Sequence, residues 1–372
     1  MSVLVTGGAG YIGSHAVKTL RAAGRDVVIY DNLSAGHRAA AAVAGAALEV
    51  GEIQDVARLR EVMAAHRVEA VMHFAACLSV GESVKQPIAY YRNNVGGALA
   101  VLEAMVASGV PHFIFSSTAA TFGNPVETPI TESHPQRPIN TYGETKLAVE
   151  RALPHFERAY GLRSVALRYF NAAGADPEGA LGEDHRPEVH VIPRAIDAAL
   201  GRATFAIYGV DYETPDGTCL RDYVHVSDLA AAHLLALDSL RAGGESAAYN
   251  LGNGRPTSVR EVVDAVERVT GRPVPVTVGP RRAGDPAVLY ASSDRIRRSL
   301  GWTPEYEDID VIVETAWRWR EAHPQGYNTV PGSIGLSSEQ TAGSETEGQA
   351  TTGRRTKGRR TKGQGTEGQT TR

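Results

Sequence analysis

The sequence predicts an α/β fold in which a doubly wound parallel sheet carries a smaller mixed α/β domain. Segments rich in β-branched residues alternate with helical segments through the first half of the chain, which is typical of a parallel sheet with helices on both faces. Beyond about Ala172 this alternation gives way to mixed segments with many glycines and prolines. We therefore predict one domain over residues 1–172 and a second over residues 173–330, built over the carboxyl ends of the strands.

The individual elements follow from the pattern of apolar residues. The predicted strands of the first half are Val3–Thr6, Val27–Asp31, Ala47–Val50, Ala70–Phe74, His112–Ser117 and Ser164–Tyr169. In the second half, Tyr249 to Gly252 predict a short strand that returns to the sheet. Helical spacing predicts helices over Val259–Val269 and Ile309–Glu321.

The first predicted strand passes through three glycines directly into a helix. Gly7 permits the tight turn, Gly10 lets backbone N–H groups approach a pyrophosphate, and Gly13 lets the helix pack closely on the strand. The sequence therefore predicts a dinucleotide site of the Rossmann type at the start of this helix.

An acidic residue at the end of the second predicted strand indicates which dinucleotide binds. Asp31 lies about 20 residues after the turn, where a carboxylate can accept both hydroxyls of an adenosine ribose. Because a 2′-phosphate would meet a like charge there, the predicted cofactor is NAD and not NADP. Glu52, after the third strand, lies where related folds place an acid near the adenine amine.

Tyr142 and Lys146 are predicted catalytic residues. On a helix their four-residue spacing puts both side chains on one face. A tyrosine ordinarily titrates near 10, and an adjacent cation lowers that pKa, which makes the phenolate a usable base near neutral pH. Thr118, at the end of the strand that precedes this helix, is the hydroxyl expected beside Tyr142.

Composition excludes several other classes of function. The chain has 372 residues and a formal net charge of −4, which gives no indication of a nucleic-acid partner. Its two cysteines are too few for a disulfide framework, and none of its 12 histidines shows a convincing metal-binding spacing, so no metal is predicted. No apolar run is long enough to span a bilayer and a strand begins at Val3, so we expect a cytoplasmic protein with no membrane segment.

The last segment, residues 331–372, is composed almost entirely of Gly, Thr, Ser, Gln, Glu, Arg and Lys. Such a composition cannot support a packed core and predicts a disordered tail. Its repeated basic cluster, Arg354–Gly358 and Arg359–Gly363, could contact an anion, although a solvated extension without a function is the simpler interpretation.

Longer motifs extend these predictions. They are VLVTGGAGYIGSH, FAACLSVGESV, YYRNNVGG, FIFSST, YGETK, LRYFNAAGA, GEDH, YGVDYETPDGTCLRDYVHVSDLA, YNLGNG and PRRAGDPA. Over about Met1 to Tyr327 the chain resembles the extended short-chain dehydrogenase/reductase superfamily and, within it, the UDP-glucose 4-epimerase family. Several of these stretches are long and typical of the epimerases, not of the superfamily as a whole.

The resemblance assigns roles to individual residues. It implies that Tyr142 is the catalytic base, that Lys146 binds the nicotinamide ribose, and that Thr118 replaces a more common serine. The residues implied to line the NAD site are Gly7, Gly10, Tyr11, Ile12, Gly13, Asp31, Asn32, Glu52, Ile53, Phe74, Ala75, Asn93, Tyr142, Lys146 and Tyr169. Those implied to meet the UDP-sugar are Thr118, Tyr142, Asn171, His190, Arg221, Arg282, Asp285 and Leu289, with the two arginines on the diphosphate.

The resemblance also implies the reaction. NAD takes a hydride from C4 of the hexose while Tyr142 removes the 4-hydroxyl proton. The 4-keto sugar rotates about its link to the diphosphate and is reduced on its other face, so UDP-glucose and UDP-galactose interconvert in galactose metabolism. A homodimer through two long helices, Pro87–Ser108 and Tyr142–Tyr160, is a further implication.

Some positions depart from the family pattern. Glu52 stands where the family usually has Asp, His190 where relatives often carry Asn, Leu78 where some have Lys, and Phe122 where Tyr is common. A simpler role for Arg221 is a salt bridge to its neighbour Asp222.

Two other functions remain open. The first is an epimerase or 4,6-dehydratase for another nucleotide sugar, such as UDP-N-acetylglucosamine. Against a dehydratase, Ala119 and Ala120 follow Thr118 where elimination would need an acid pair. The second is a dinucleotide-sensing module without catalysis, which would not need Tyr142 and Lys146 at this spacing.

Overall fold

The structure is a computed structural model that describes residues 2–282 and 285–329. The predicted tail, residues 331–372, lies outside the described residues. Among the described residues, no helix combines the length and the apolar character that crossing a membrane requires.

Fourteen strands are formed by the described residues. They are β1 (Ser2–Thr6), β2 (Asp26–Asp31), β3 (Ala47–Val50), β4 (Val68–His73), β5 (His112–Thr118), β6 (Arg163–Tyr169), β7 (Asn171–Ala173), β8 (Phe205–Tyr208), β9 (Leu220–Arg221), β10 (Tyr223–His225), β11 (Ala247–Leu251), β12 (Thr257–Ser258), β13 (Val276–Gly279) and β14 (Val288–Leu289). All six strands predicted in the first half are confirmed, with shifts of one or two residues at some ends.

The same residues form twelve α-helices. They are α1 (Tyr11–Ala22), α2 (Arg38–Ala44), α3 (Val56–Ala65), α4 (Val80–Lys85), α5 (Pro87–Tyr90), α6 (Gly97–Ser108), α7 (Thr141–Tyr160), α8 (Val191–Ala199), α9 (Val226–Arg241), α10 (Val259–Thr270), α11 (Asp294–Leu300) and α12 (Ile309–Ala322). A π-helical segment, Tyr91–Gly96, joins α5 to α6, so the single helix predicted over Pro87–Ser108 is divided.

The central sheet confirms the predicted fold class. Seven parallel strands lie in the order β3-β2-β1-β4-β5-β6-β11. The chain order reverses between β1 and β4, and this reversal is where open α/β sheets bind their ligands. The late strand β11 pairs with β6 at the edge, which confirms the short strand predicted at Tyr249.

Alternation along the strands divides the core between the two faces of the sheet. In β1, Val3 and Val5 pack on the face covered by α1 and α9, whereas Leu4 packs on the face covered by α3 and α6. A third apolar cluster joins α8, α10 and α12, and all its buried members lie beyond residue 172.

Candidate active site

The turn between β1 and α1 leaves no room for side chains. Gly7 has a φ of 73°, and a Cβ there would lie 2.6 Å from the Ala75 nitrogen. A Cβ on Gly13 would lie 2.2 Å from the Gly7 carbonyl oxygen. Gly10 begins α1 without a side-chain cap, so the first turn presents backbone N–H groups that can bind a pyrophosphate.

Asp31 is tied to this turn from the end of β2. Its carboxylate accepts the Ala9 N–H at 3.0 Å on one oxygen and the Leu33 N–H at 2.8 Å on the other. Burial raises the pKa of Asp31, while the two N–H bonds oppose that rise. The two N–H bonds hold the carboxylate in place. Because each of its oxygens has a further lone pair, it can still accept hydrogen bonds from ribose hydroxyls.

Glu52 contacts the residue that follows Asp31. The Asn32 side-chain amide donates to Glu52 Oε2 at 2.9 Å, and the Tyr30 hydroxyl donates to the Glu52 carbonyl at 3.0 Å. Glu52 is exposed and lies beside the end of β2. The predicted contact of Glu52 with adenine stays a prediction, but its position next to Asn32 is compatible with that role.

Several other predicted cofactor residues lie around the same strand ends. The Phe74 and Ala75 N–H groups both donate to the Thr6 carbonyl, at 2.9 and 3.1 Å, which brings the end of β4 against the turn. Ile53 packs against Gly97 at the start of α6. The Asn93 amide donates to Asn94 Oδ1 at 3.0 Å within the π-helical segment.

The first turn of α7 brings Tyr142 to the end of β5. Asn140 caps this helix by accepting the Gly143 N–H at 2.8 Å. A Cβ on Gly143 would lie 2.3 Å from the Ala120 carbonyl oxygen, so the helix start touches the segment just after Thr118. The Thr118 hydroxyl lies close enough to the Tyr142 phenol to lower the pKa of Tyr142.

Lys146 lies one turn further along α7, on the same face as Tyr142. Its Nζ is 6.0 Å from the centroid of the Tyr142 ring and 5.0 Å from that of Phe115. The ammonium donates to the Ser116 carbonyl at 2.8 Å. The lysine is 2% exposed, and among the described residues no carboxylate forms an ion pair with it.

The pKa values of this pair differ from the sequence-based expectation. The pKa of Tyr142 is raised to about 12, because burial raises it by more than the nearby Thr118 hydroxyl lowers it. Burial also lowers the pKa of Lys146 to about 7. The expected lowering of the Tyr142 pKa is therefore wrong for the protein without ligands, because burial of the phenol outweighs the influence that lowers its pKa.

Ser116 is a site residue that the sequence analysis missed. Its carbonyl accepts from Lys146, and its hydroxyl bonds to the Tyr169 hydroxyl. The Tyr169 ring centroid in turn lies 6.0 Å from that of His233, whose ring is tilted against Phe74 at a centroid distance of 4.6 Å. The sequence feature that could have indicated Ser116 as a site residue is its position in β5, two residues before Thr118.

Glu150, one turn after Lys146, could have been its ion-pair partner. The structure instead pairs Glu150 with Arg168 of β6 through two nitrogens, at 2.6 and 3.0 Å. Ser117 also donates to Glu150. Because this carboxylate is already engaged, it leaves Lys146 without a counter-ion of its own.

The predicted substrate residues lie further along the strand ends. Arg221 forms an ion pair with Asp285 and donates to the Pro286 carbonyl at 2.9 Å. Its alternative salt bridge to Asp222 is wrong, because the Asp222 carboxylate accepts three backbone N–H groups instead. Leu289 is the register partner of Arg221 in the β14–β9 pair.

The remaining substrate residues are not brought together in this structure. The Arg282 guanidinium lies 4.0 Å from the centroid of the Tyr208 ring, in a cation–π contact. Asn171 begins β7 and donates its N–H to the Asp222 carbonyl at 3.0 Å. The His190 ring lies against acidic side chains, with Nδ1 at 2.5 Å from Glu183 Oε1.

Comparison with known proteins places this site in a family. The model of the NAD dependent epimerase/dehydratase family matches residues 3–252. The chain belongs to the NAD-dependent epimerase/dehydratase family. The cofactor of the chain is NAD, and the backbone turn and Asp31 are suited to hold it.

Individual members of the NAD-dependent epimerase/dehydratase family are similar over most of the chain. The UDP-glucose 4-epimerase of Rhizobium meliloti is 54% identical over 326 residues, covering 87% of this chain and 98% of that protein. The crystal structure of UDP-glucose 4-epimerase from Brucella ovis in complex with NAD is 53% identical with a TM-score of 0.83, covering 85% of this chain and 97% of that one. The UDP-glucose 4-epimerase structure from Stenotrophomonas maltophila, with bound NAD and formylated UDP-arabinopyranose, is 39% identical with a TM-score of 0.85, covering 87% of this chain and 99% of that one.

Replacing Asp31 by Ser should improve the binding of NADP relative to NAD by about tenfold or more, equivalent to ~1.4 kcal/mol, because the carboxylate that repels a 2′-phosphate is removed. The measurement is the ratio of the two dissociation constants, taken by calorimetry on protein depleted of NAD. Asp26→Ser, at the exposed opposite end of β2, is the matched control. An unchanged ratio in Asp31→Ser would exclude Asp31 as the ribose ligand.

Replacing Lys146 by Met should stabilise the NAD-free protein near pH 7.5, and this advantage should shrink toward pH 9.5. An unfolded lysine titrates near 10.4, whereas the pKa of Lys146 in the folded protein is about 7. Between about pH 7 and 10.4 the unfolded parent binds more protons than the folded parent, so its free energy of unfolding rises with pH. The variant has no lysine at this position and lacks this rise, so its advantage over the parent shrinks.

Urea denaturation of parent and variant at both pH values measures the difference between their free energies of unfolding. We expect this difference to shrink by about 1–3 kcal/mol between pH 7.5 and pH 9.5. Lys85→Met, at an exposed position on α4, should show no such change. A difference for Lys146→Met that stays constant with pH would mean that this lysine is charged in the folded protein.

Proposed function

We propose that this chain interconverts UDP-glucose and UDP-galactose by oxidation at C4, rotation of the 4-keto sugar and reduction on its other face. The observation that carries this proposal is the group formed by Thr118, Tyr142 and Lys146 at the end of β5, in the same sheet as the strand that leads into the glycine turn. Relatives that are about half identical to this chain over most of its length are named UDP-glucose 4-epimerase.

NAD, when bound, supplies the hydride acceptor and returns the hydride within the same cycle. The turn formed by Gly7, Gly10 and Gly13 would hold the pyrophosphate through backbone N–H groups, and Asp31 would hold the adenosine ribose. The other residues proposed to line the NAD site are Tyr11, Ile12, Asn32, Glu52, Ile53, Phe74, Ala75, Asn93, Tyr142, Lys146 and Tyr169.

Tyr142 is proposed to remove the proton from the 4-hydroxyl and later to return a proton to the 4-keto oxygen. Since the pKa of Tyr142 is about 12 without ligands, the phenolate needs positive charge nearby before it can act near neutral pH. A protonated Lys146 can supply part of this charge from the same helix face. The Thr118 hydroxyl, which lies beside the phenol, has one hydrogen and can donate it to the phenolate or to the sugar oxygen.

The UDP-sugar is proposed to bind along the segments that follow the strand ends. Arg221 and Arg282 would bind the diphosphate, which requires Arg282 to leave the Tyr208 ring and Arg221 to share its charge between Asp285 and phosphate. Guanidinium groups are suited to this because they bind phosphate through two parallel hydrogen bonds. Asn171, His190 and Leu289 complete the proposed substrate set.

The structure gives little support to a dehydratase. Elimination of water would require an acid pair after Thr118, and that position is a short 3₁₀ turn that contains Ala119 and Ala120. A sensing module without catalysis would not need a buried lysine one turn from a tyrosine. A preference for an N-acetylated UDP-hexosamine depends on the space near Leu289 and is tested below.

The direct test is to incubate the purified protein with UDP-galactose and to measure UDP-glucose by chromatography. The proposed function predicts conversion to an equilibrium mixture and no unsaturated 4-keto-6-deoxy product. Bound NAD without turnover of any UDP-sugar would support the sensing module, and turnover of N-acetylated substrates alone would support the other epimerase.

Three further features belong to the proposal. A NAD-binding domain over residues 1–172 and a substrate domain over 173–330 are supported by the third apolar cluster, which consists of residues beyond 172. The homodimer through Pro87–Ser108 and Tyr142–Tyr160 and the cytoplasmic location also remain predictions. The elution volume of the purified protein on a size-exclusion column tests the homodimer.

Tyr142→Phe should lower turnover by about 100-fold or more while NAD stays bound, because general-base catalysis contributes about 10²–10⁴-fold. The measurement is kcat for UDP-galactose together with the NAD content of the purified variant. Tyr160→Phe, at a 62% exposed position on the same helix, is the matched control and should behave like the parent. Parental turnover in Tyr142→Phe would contradict the proposed base.

Leu289→Ser should relax the preference for UDP-glucose and UDP-galactose over their N-acetylhexosamine counterparts. Leu289 lies beside Arg221 in the strand register, where a branched side chain leaves less room for an N-acetyl group. Overpacking a closed pocket costs about 1–3 kcal/mol, or roughly ten- to a hundredfold in discrimination. Measured kcat/KM values for both substrate pairs test this, and equal values for the two pairs in the parent would refute it.

A further inference from the structure

Four potential metal ligands lie together in the segment between β7 and α8. Glu183, His185, Glu188 and His190 each offer one donor atom, and these atoms all lie within 4.8 Å of one another. We call this group the 183–190 cluster. The residue spacing did not show it; the segment bends at Arg186 and Pro187, between the pair Glu183 and His185 and the pair Glu188 and His190.

The carboxylates of the 183–190 cluster are buried, and histidines are their partners in place of lysine or arginine. The Glu183 and Glu188 side chains are 6% and 9% exposed. Among the described residues, their ion pairs are only with His185 and His190, and no lysine or arginine lies within ion-pair distance of either. The nearby Arg320 is engaged with Asp197, whose Oδ1 accepts from the arginine Nε at 2.7 Å.

One carboxylate oxygen of the cluster has no hydrogen bond. Glu188 Oε2 is shielded from solvent and unpartnered, although Glu188 Oε1 accepts the Val189 and His190 N–H groups. A buried carboxylate oxygen without a donor is costly and is rare in folded proteins. The His190 side chain is 42% exposed, so the cluster borders on solvent at this residue.

One of the distances between potential ligand atoms matches the separation of ligands around zinc, and two are shorter hydrogen-bond distances that would have to lengthen on metal binding. His190 Nδ1 lies 2.5 Å from Glu183 Oε1 and 3.4 Å from Glu188 Oε1, and His185 Nδ1 lies 2.9 Å from Glu183 Oε1. Zinc binds imidazole nitrogen and carboxylate oxygen at about 2.0–2.2 Å in tetrahedral geometry, which separates neighbouring ligands by roughly 3.3–3.5 Å. Adjustments of about an ångström would therefore form the complete shell.

We propose that the 183–190 cluster is a binding site for a divalent transition-metal ion, with zinc as the best fit. Two imidazoles favour zinc over magnesium or calcium, which prefer sites made only of oxygen. The ion would neutralise the two glutamates and crosslink the segment that leads into α8. The site does not include Tyr142 or Lys146, so the ion would have a structural or regulatory role and would take no part in the chemistry at C4.

The site also adjoins the start of α1. The His185 ring centroid lies 6.3 Å from that of Tyr11. If His190 serves as a substrate ligand, as the proposed function has it, zinc and the UDP-sugar would compete for its ring. Zinc binding itself does not depend on that role, so the binding test stands whether or not the chain is an epimerase.

The experiment is a calorimetric titration of Zn²⁺ into the full, untagged protein with NAD bound, in a buffer that does not chelate metal. The proposal predicts saturable binding of about one zinc per chain, and at least tenfold weaker binding in Glu188→Gln and in His185→Asn. His155→Asn, which removes an exposed histidine of α7, is the matched control and should bind zinc like the parent. Melting temperatures measured without metal establish that each variant is folded.

Replacement of zinc by Co²⁺ in the parent protein gives a test that needs no variant. A tetrahedral site of two imidazoles and two carboxylates predicts intense visible absorption that zinc displaces. The proposal is overturned if the parent binds no zinc saturably, if Glu188→Gln and His185→Asn bind it as well as the parent, or if bound Co²⁺ shows only the weak absorption of a hydrated ion. In each of those cases the cluster is an ion-pair network only.

Discussion

The close approach of α1 to β1 is the constraint on which the rest of the site depends. A side chain on Gly13 would lie 2.2 Å from the Gly7 carbonyl oxygen, so the first turn of the helix can rest on the strand only without one. Asp31 then reaches across to the Ala9 N–H and fixes the turn to the end of β2. This contact sets where the backbone donors for the cofactor lie relative to the ends of β4 and β5.

A second constraint is that both acid-base groups are held away from water. Among the described residues, no carboxylate forms an ion pair with Lys146, since Glu150 is engaged by Arg168, and the Thr118 hydroxyl lies beside the Tyr142 phenol. Without ligands, burial favours the neutral form of each group. The charged forms of the two groups, which proton transfer requires, are therefore stabilised only when further charge enters the site. Proton transfer in our account thus depends on whether ligands are bound.

Local pattern was enough to predict the strands of the central sheet, the glycine turn and the shared face of Tyr142 and Lys146. Local pattern did not predict contacts between segments that are distant in the sequence. Arg221 pairs with Asp285, 64 residues away, and not with its neighbour Asp222. The direction of the Tyr142 pKa depends on how much surrounding structure excludes water, which sequence spacing does not contain. The histidines of the 183–190 cluster are brought to their glutamates by a loop whose path no periodic pattern specifies.

The central claim is that oxidation and reduction at C4 occur in one site, with the hydride never released to solvent. It is tested most directly with UDP-galactose that carries deuterium at C4, incubated with the purified protein in ordinary water without added NAD. Our account predicts that UDP-glucose forms and keeps the deuterium at C4, as measured by mass spectrometry and proton NMR. Deuterium lost to water during conversion would contradict this mechanism.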